Sequence, residues 1–145
     1  MKLPVFTILG RCRTKKNSGR IVRTKTGKPT ILPSAAHAEW FKCAMQQSAD
    51  IRRTVEHAGL VTLPITGPVN VAAKFYRDRN VGDANGFYQA LGDFLQSTAF
   101  NKKTGKTIRT GAGILVDDKQ IASWNGSVLL KDAAHPRIEV EITVL

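Results

Sequence analysis

The last segment of the chain alternates strictly between apolar and polar side chains, a pattern that matches an extended strand with one buried face. Its apolar members are Ile138, Val140, Ile142 and Val144, and its polar members are Arg137, Glu139, Glu141 and Thr143. The same period of two links Val69, Val71, Ala73 and Phe75, just after Gly67-Pro68. We expect strands at 69–76 and 137–144, each with its apolar face turned to the core.

Two other stretches have the period of a helix. Ser34 is a good helix N-cap, and the apolar residues from Ala38 to Val55 after it fall on one side of a helix. We therefore predict one long amphipathic helix that ends near Gly59, with Trp40 in the core. A second helix is predicted over 84–97, where the apolar stripe contains Phe87, Ala90, Leu91, Phe94 and Leu95.

The remaining segments predict short strands and loops. Residues 3–9 suit a first strand, and 20–32 suit a β-hairpin with Gly and Pro at a basic tip. The stretch 98–113 is predicted to be a loop. Strands at 120–124 and 127–131 are expected to form a hairpin turned by Asn125-Gly126. The whole chain, 1–145, is predicted to be one α+β domain in which a mixed sheet packs against two main helices.

Charge indicates the partner. The chain of 145 residues has 22 Lys plus Arg against 11 Asp plus Glu, a net charge of +11. Basic residues fill the segment before the first acid, Glu39, and recur at Lys102, Lys103, Lys106 and Arg109. Such asymmetry is typical of a polyanion binder, with a merely solubilising surface as the alternative. A membrane surface is less favoured, because no basic amphipathic helix is visible.

Several function classes find no support in the sequence. The apolar runs are far shorter than the ~20 residues of a membrane span, and the N-terminus lacks a signal peptide, so a cytoplasmic protein is expected. Cys12 and Cys43 form no CxxC pair and are expected to be reduced thiols, at least one of them buried. No phosphate-binding Gly-Lys-Ser/Thr motif is present, so a nucleotide cofactor is not expected.

The few carboxylates stand at informative places. Asp83 ends a polar loop after a strand, and Asp117 and Asp118 end the apolar run 114–116. Carboxylates at the rim of a core suit Mg²⁺, which prefers oxygen ligands and leaves positions for substrate phosphates. Each of these carboxylates also has a structural alternative to metal binding. Asp83 could be a helix N-cap, 117–120 could form a capping box or turn, and Asp93 could pair with a nearby basic residue.

Taken together, these segments resemble the RusA family of Holliday junction resolvases over most of the chain. The most specific parts are Gly82-Asp83-Ala84-Asn85, then Asp93-Phe94-Leu95, then Val116-Asp117-Asp118. Lys16-Asn17-Ser18 in the N-terminal loop also matches. The resemblance implies an α+β homodimer that binds four-way DNA junctions and cleaves them symmetrically with Mg²⁺ or Mn²⁺. Genes of this family are common in prophages.

Residue by residue, Asp83 matches the first aspartate of the family's D-x-D-N-x-x-K run. Asn85 stands in place of its second aspartate, Gly86 in place of its asparagine and Gln89 in place of its lysine. Asp93 matches the helix aspartate. Asp117 and Asp118 match the closing pair.

We therefore expect a metal-dependent endodeoxyribonuclease that resolves junctions in recombination and repair. Asp83, Asp118 and Asn85 are the expected metal ligands, and Asp117 completes the catalytic set. The expected DNA contacts are Lys15, Lys16, Asn17, Arg20, Lys102, Lys103, Lys106, Arg109 and Lys119. The alternative is a branched-DNA-binding relative with weak or lost cleavage.

Overall fold

A computed structural model describes residues 1–15, 20–23, 25, 27–32 and 34–145 of the chain. Its elements are β1 (Phe6–Leu9), β2 (Arg20–Arg23), β3 (Pro29–Leu32), α1 (Ala35–Gln46), α2 (Ser48–His57), β4 (Val69–Arg77), α3 (Ala84–Leu95), β5 (Thr98–Asn101), β6 (Lys106–Arg109), β7 (Ile121–Ser123), β8 (Val128–Lys131) and β9 (Arg137–Val144). A turn of 3₁₀ helix, Asp118–Gln120, directly precedes β7. None of the helices in the described residues has the length and apolarity that a membrane crossing requires.

A five-stranded mixed sheet stands at the centre of the fold. β9 pairs antiparallel with β4 from Val69↔Val144 to Tyr76↔Arg137, and its other edge pairs antiparallel with β1. The free edge of β4 takes β7 and then β8, both parallel to it. The α+β class and the two alternating strands are thus confirmed.

One face of this sheet carries the core. Val69, Val71, Ala73 and Phe75 of β4 are at most 1% exposed, as are Ile138, Val140 and Ile142 of β9. Trp40 of α1, Val55 of α2 and Leu91 of α3 belong to the same buried cluster. Removing one such large side chain from water stabilises the fold by roughly 1.5–3 kcal/mol, so the sheet–helix contact provides most of the driving force.

The predicted long helix is wrong in one respect, because it is divided into α1 and α2 at Gln47. The Gln47 side chain accepts a hydrogen bond from the Leu9 N–H at 2.8 Å and donates to the Leu9 carbonyl at 2.9 Å. The Ser48 hydroxyl donates to the Met45 carbonyl at 2.7 Å and competes with the helical ladder. The sheet is therefore accompanied by three α-helices, not by two main ones.

The stretch 98–113 is not a loop throughout, as the sequence had predicted. β5 and β6 pair antiparallel from Thr98↔Arg109 to Asn101↔Lys106 and form a hairpin. The chain then returns to the body at Gly111, where an added Cβ would lie 2.2 Å from the Gln96 carbonyl oxygen. Only glycine tolerates so close an approach.

The hairpin predicted across Asn125-Gly126 is also wrong, because β7 and β8 pair with β4 and not with each other. The side chain of Asn70 on β4 holds the intervening chain. Its Oδ1 accepts from the Ser123 hydroxyl at 2.6 Å and from the Asn125 N–H at 2.9 Å, while its Nδ2 donates to the Asn125 carbonyl at 3.1 Å. The predicted turn at Asn125-Gly126 is present, since the Ser127 N–H donates to the Trp124 carbonyl at 3.1 Å, but Asn70 holds it against β4.

We predict that Asn70→Ala destabilises the protein by roughly 1–3 kcal/mol, because it leaves the polar groups of Ser123 and Asn125 without their partner. The free energy of unfolding in urea measures the effect. Asn80→Ala is the matched control: Asn80 is exposed and its Oδ1 only accepts from Arg77 at 3.4 Å, so a change below about 0.5 kcal/mol is expected. Equal losses in the two variants would show that Asn70 does not hold this turn.

Candidate functional site

The site is organised along α3, which begins at Asp83. The Asp83 side chain accepts a hydrogen bond from the Gly86 N–H at 2.8 Å, so the N-cap role is confirmed. Asp83 is exposed, and Asn85, two residues on, is exposed as well. Capping occupies one carboxylate oxygen and does not exclude a second role for this residue.

A cleft of about 530 Å³ opens at this end of α3. Asp83 and Phe87 line it from the helix, Arg13 and Thr14 from the N-terminal segment, and Arg79 from the loop after β4. Thr14 packs close to α3, since its Cγ2 lies 2.7 Å from the position that a Cβ on Gly86 would occupy. The N-terminal basic segment is thereby held against the helix that begins with Asp83.

Asp117 and Asp118 lie in a tight turn before β7. Asp117 accepts from the Lys119 N–H at 2.8 Å, and its own N–H donates to Gln120 Oε1 at 2.8 Å, so the capping-box alternative is confirmed. Gln120 Nε2 also donates to the carbonyls of Ile65 and Gly67, each at 2.8 Å. The turn is therefore hydrogen-bonded to the segment 65–67. No pattern in the sequence predicts this contact.

The turn places Asp118 against α3. A Cβ on Gly92 would lie 3.5 Å from the Asp118 Cβ and 3.8 Å from its Oδ2, so Asp118 packs beside this part of the helix. Burial raises the pKa of Asp118, and the hydrogen bond and charge of Asp117 and the charge of Asp93 raise it further, whereas Lys119 lowers it. The pKa of Asp117 is lowered, first by the hydrogen bond from the Lys119 backbone. Of the two residues, Asp118 is therefore the one whose negative charge the folded protein stabilises less.

Asp93 completes what we call the acidic centre, Asp93, Asp117 and Asp118. It forms an ion pair with Lys15, and the two side chains are 18% and 35% exposed, so its predicted pairing with a nearby base is confirmed. Lys15, an expected DNA contact, therefore lies beside the acidic centre. Since Lys15 neutralises Asp93, the uncompensated charge of the centre falls on the Asp117–Asp118 pair.

The predicted metal ligands lie in two places along α3. Asp83 caps the helix at Gly86 and Asp118 lies beside Gly92, six residues on, which is about 9 Å along the helix axis. Among the residues that the structure describes, no group of three or more His, Cys, Asp or Glu side chains has the arrangement of a metal site. Asp118 is thus brought together with Asp117, and Asp83 with Asn85.

An aromatic pair lies between these two places. The rings of Tyr88 on α3 and Trp124 after β7 stack with centroids 4.5 Å apart and an interplanar angle of 5°. Trp124 is half-buried and packs against the core, whereas Trp40 is buried. The sequence places Tyr88 one helical turn before Gly92, but its partner Trp124 comes from a distant segment, whose residues Ser123 and Asn125 bond to Asn70.

The expected DNA contacts lie on several segments of the chain. Lys119 is exposed beside the acidic turn, and Lys102, Lys103 and Lys106 are exposed on the β5–β6 hairpin. Arg20 begins β2 and Arg109 ends β6. Lys16 and Asn17 lie outside the described residues. Basic side chains thus follow the acidic turn and extend along the hairpin.

An ion pair anchors the N-terminal segment. Arg13 donates to both carboxylate oxygens of Asp78, at 2.7 and 2.8 Å, and its carbonyl contacts His37 Nδ1 at 2.8 Å. The hydrogen bond with Arg13 lowers the pKa of Asp78 from 3.8 to about 2. The sequence held no sign of this pair, whose members are far apart in the chain.

Comparison of the chain with protein-family models and with curated proteins finds no match.

We predict that Asp78→Asn lowers stability by about 1–2 kcal/mol at pH 7, because it removes the charged acceptor of Arg13. A carboxyl whose pKa is lowered on folding stabilises the fold above its ordinary pKa, and this contribution fades as the pH falls from 3.8 to about 2. Unfolding free energies at pH 7, 4 and 2 measure it. In Asp50→Asn, where the side chain is 81% exposed, little change is expected at any pH. A deficit of Asp78→Asn that persisted undiminished at pH 2 would contradict this account.

We also predict that Asp118→Asn raises stability at pH 7. The folded protein holds this carboxylate with a raised pKa, so its ionised form opposes folding, and the gain should disappear as the pH falls below 3.8. Asp117→Ala, which removes the capping acceptor, should instead cost about 1 kcal/mol. Thermal unfolding of the two variants at pH 7 and pH 3 tests the opposite signs, and destabilisation by Asp118→Asn at pH 7 would overturn the assignment.

Proposed function

We propose that this protein is a Mg²⁺-dependent, structure-selective endodeoxyribonuclease of the RusA type that resolves four-way DNA junctions in recombination and repair. One observation carries the proposal: the turn before β7 places Asp117 and Asp118 against α3 at Gly92, one residue from Asp93, in a chain whose net charge is +11. Carboxylates held close together repel one another. A divalent cation bound between them would relieve this repulsion and so lower the free energy of the folded protein.

The chemistry of the donors suits Mg²⁺. This ion takes oxygen ligands and is commonly held by one or two carboxylates together with phosphate oxygens of the substrate. Asp118 and the second oxygen of Asp117 would hold it. The resemblance also implies Asp83 and Asn85 as donors; they lie at the start of α3, where Asp83 is about 9 Å from Asp118 along the helix axis. Bound there, Mg²⁺ would supply charge neutralisation and activation of water for phosphodiester hydrolysis.

The side chains around the acidic centre support a phosphate backbone as the substrate. Lys119 follows Asp118 directly, and Lys15 reaches Asp93 from the N-terminal segment. When substrate phosphates and Mg²⁺ enter, Lys15 can exchange its carboxylate partner for a phosphate. The same cations steer DNA to the site before any specific contact forms.

Selectivity for junctions requires a second copy of the site. A four-way junction has two equivalent strands to cut, and a two-fold homodimer presents two acidic centres at a fixed separation. In this proposal DNA is the partner, a homodimer is the working unit, and selection depends on the geometry of the junction and not on base sequence.

The proposal predicts that Asp118→Asn and Asp83→Asn each reduce junction cleavage at least about 100-fold in Mg²⁺ and in Mn²⁺, with junction binding retained. End-labelled synthetic four-way junction, with a linear duplex of the same arm sequence beside it, reports cleavage and its symmetry. Asp50→Asn on α2 removes one exposed carboxylate of the same type and should cut at the native rate. Native-rate cleavage by Asp118→Asn would refute the proposal.

A second candidate is a branched-DNA-binding protein that does not cleave. It is favoured by the use of Asp83 as a helix cap, by its distance from Asp118 along α3, and by a neutral Asn85 and Gln89 where the family has charged residues. The same assay separates the two. Native protein that binds the junction without cutting in either metal supports the binding role.

A further inference from the structure

The outer half of the β5–β6 hairpin is open to solvent. Every residue from 101 to 108 is exposed, which for two paired strands means that both faces of the outer half of the hairpin are open. A two-stranded ribbon without a covering layer has little stability of its own. Its order therefore depends on where it is anchored, at the end of α3 and at Gly111.

The tip of this ribbon is ordered by Asn101. Its Oδ1 accepts from the Lys103 N–H at 2.9 Å and from the Thr104 N–H at 3.4 Å, and its carbonyl accepts from the Gly105 N–H at 2.8 Å. Gly105 has a φ of +67°, the left-handed conformation that such a turn needs. The turn therefore presents its lysines on a defined scaffold.

The charge of the ribbon is of one sign. No Asp or Glu occurs between Asp93 and Asp117, whereas Lys102, Lys103, Lys106 and Arg109 all do. Solubilising charge is usually mixed in sign, so a ribbon of only positive charge favours a polyanionic ligand. Ile108, 52% exposed, adds one apolar side chain to the same surface.

The dimensions of the ribbon match a duplex groove. Two strands stand about 4.8 Å apart, and four residues extend about 13 Å. The major groove of B-DNA, about 12 Å wide and 8.5 Å deep, admits a two-stranded ribbon, whereas the major groove of A-form RNA is too narrow. In that groove lysines reach phosphates and guanine edges, and an apolar side chain meets thymine methyl groups.

We propose that the β5–β6 ribbon is a major-groove arm that grips a duplex arm of the DNA substrate. This inference rests on the proposed function in one respect, namely that the polyanionic ligand is DNA. The ribbon extends about 13 Å from its base, so the tip lysines can reach a duplex that the body of the protein does not contact. The arm thereby adds affinity and length dependence for duplex DNA and leaves the cleavage chemistry to the acidic centre.

The pairing register defines the test variant. Thr98 and Arg109 are opposite each other, so replacing residues 99–108 by Asn-Gly closes the ladder with a two-residue turn. A second variant with Lys102, Lys103 and Lys106 changed to Gln keeps the ribbon. The control changes Lys42, Lys74 and Lys131, exposed lysines on α1, β4 and β8, to Gln and alters the net charge equally.

Binding of a DNA duplex and of an RNA duplex of the same sequence is measured against salt concentration. Both ribbon variants should bind duplex DNA at least about tenfold more weakly than the control, and the log–log salt slope should fall by about 2.7, for three phosphate contacts. RNA binding should change no more than in the control. Guanine N7, which lies in the major groove, should be protected from dimethyl sulfate by native protein and exposed in the ribbon variants.

Three results would overturn the inference. Equal losses of DNA binding in the ribbon variants and the control would show that only net charge matters, and equal losses for DNA and RNA would show that the ribbon contacts phosphates alone. Conversion of a dimer to a monomer by the ribbon deletion, with DNA binding unchanged, would identify it as a contact between subunits. Junction cleavage by native protein is assayed separately, so its absence refutes the proposed nuclease and not the duplex grip.

Discussion

The long antiparallel pairing of β4 with β9 is the constraint on which the rest of the structure depends. It occupies one edge of β4 from Val69 to Tyr76 and leaves the other edge for β7 and β8. Both of these strands run parallel to β4, so the chain must cross back along the sheet between β4 and β7, and α3 makes that crossing. The apolar stripe of α3 then covers the sheet face that β4 and β9 share.

This crossing decides where the carboxylates lie. Asp83 follows the carboxyl end of β4 at the start of α3, whereas Asp118 precedes β7, whose pairing begins at Val69, the amino end of β4. The helix runs between the two ends, and so its first turn holds Asp83 and its third turn approaches Asp118. The separation of the two aspartates along α3 is a consequence of parallel pairing.

The sequence predicted those elements of the fold that depend on neighbouring residues, and it failed where contacts join residues far apart in the chain. Alternation predicted β4 and β9 well, and the caps at Ser34, Asp83 and Asp117 followed from residue type and position. The division of the helix at Gln47 was missed because the side chain bonds to Leu9, far away in the chain. The Asn125-Gly126 hairpin failed for the same reason, since Asn70 holds that segment along the edge of β4.

By itself the sequence determined the class of fold, the excess of positive charge and the identity of the carboxylates, because strand and helix periods, net charge and capping preferences are local properties. Only the tertiary structure decided that Asp118 bears the raised pKa while Asp117 bears the lowered one, since burial beside Gly92 and the charge of Asp93 come from separate segments. The tertiary structure also decided that the stretch predicted as a loop forms the β5–β6 hairpin. Gly111, at the base of this hairpin, packs against the Gln96 carbonyl, so the hairpin can be anchored only when α3 is in place.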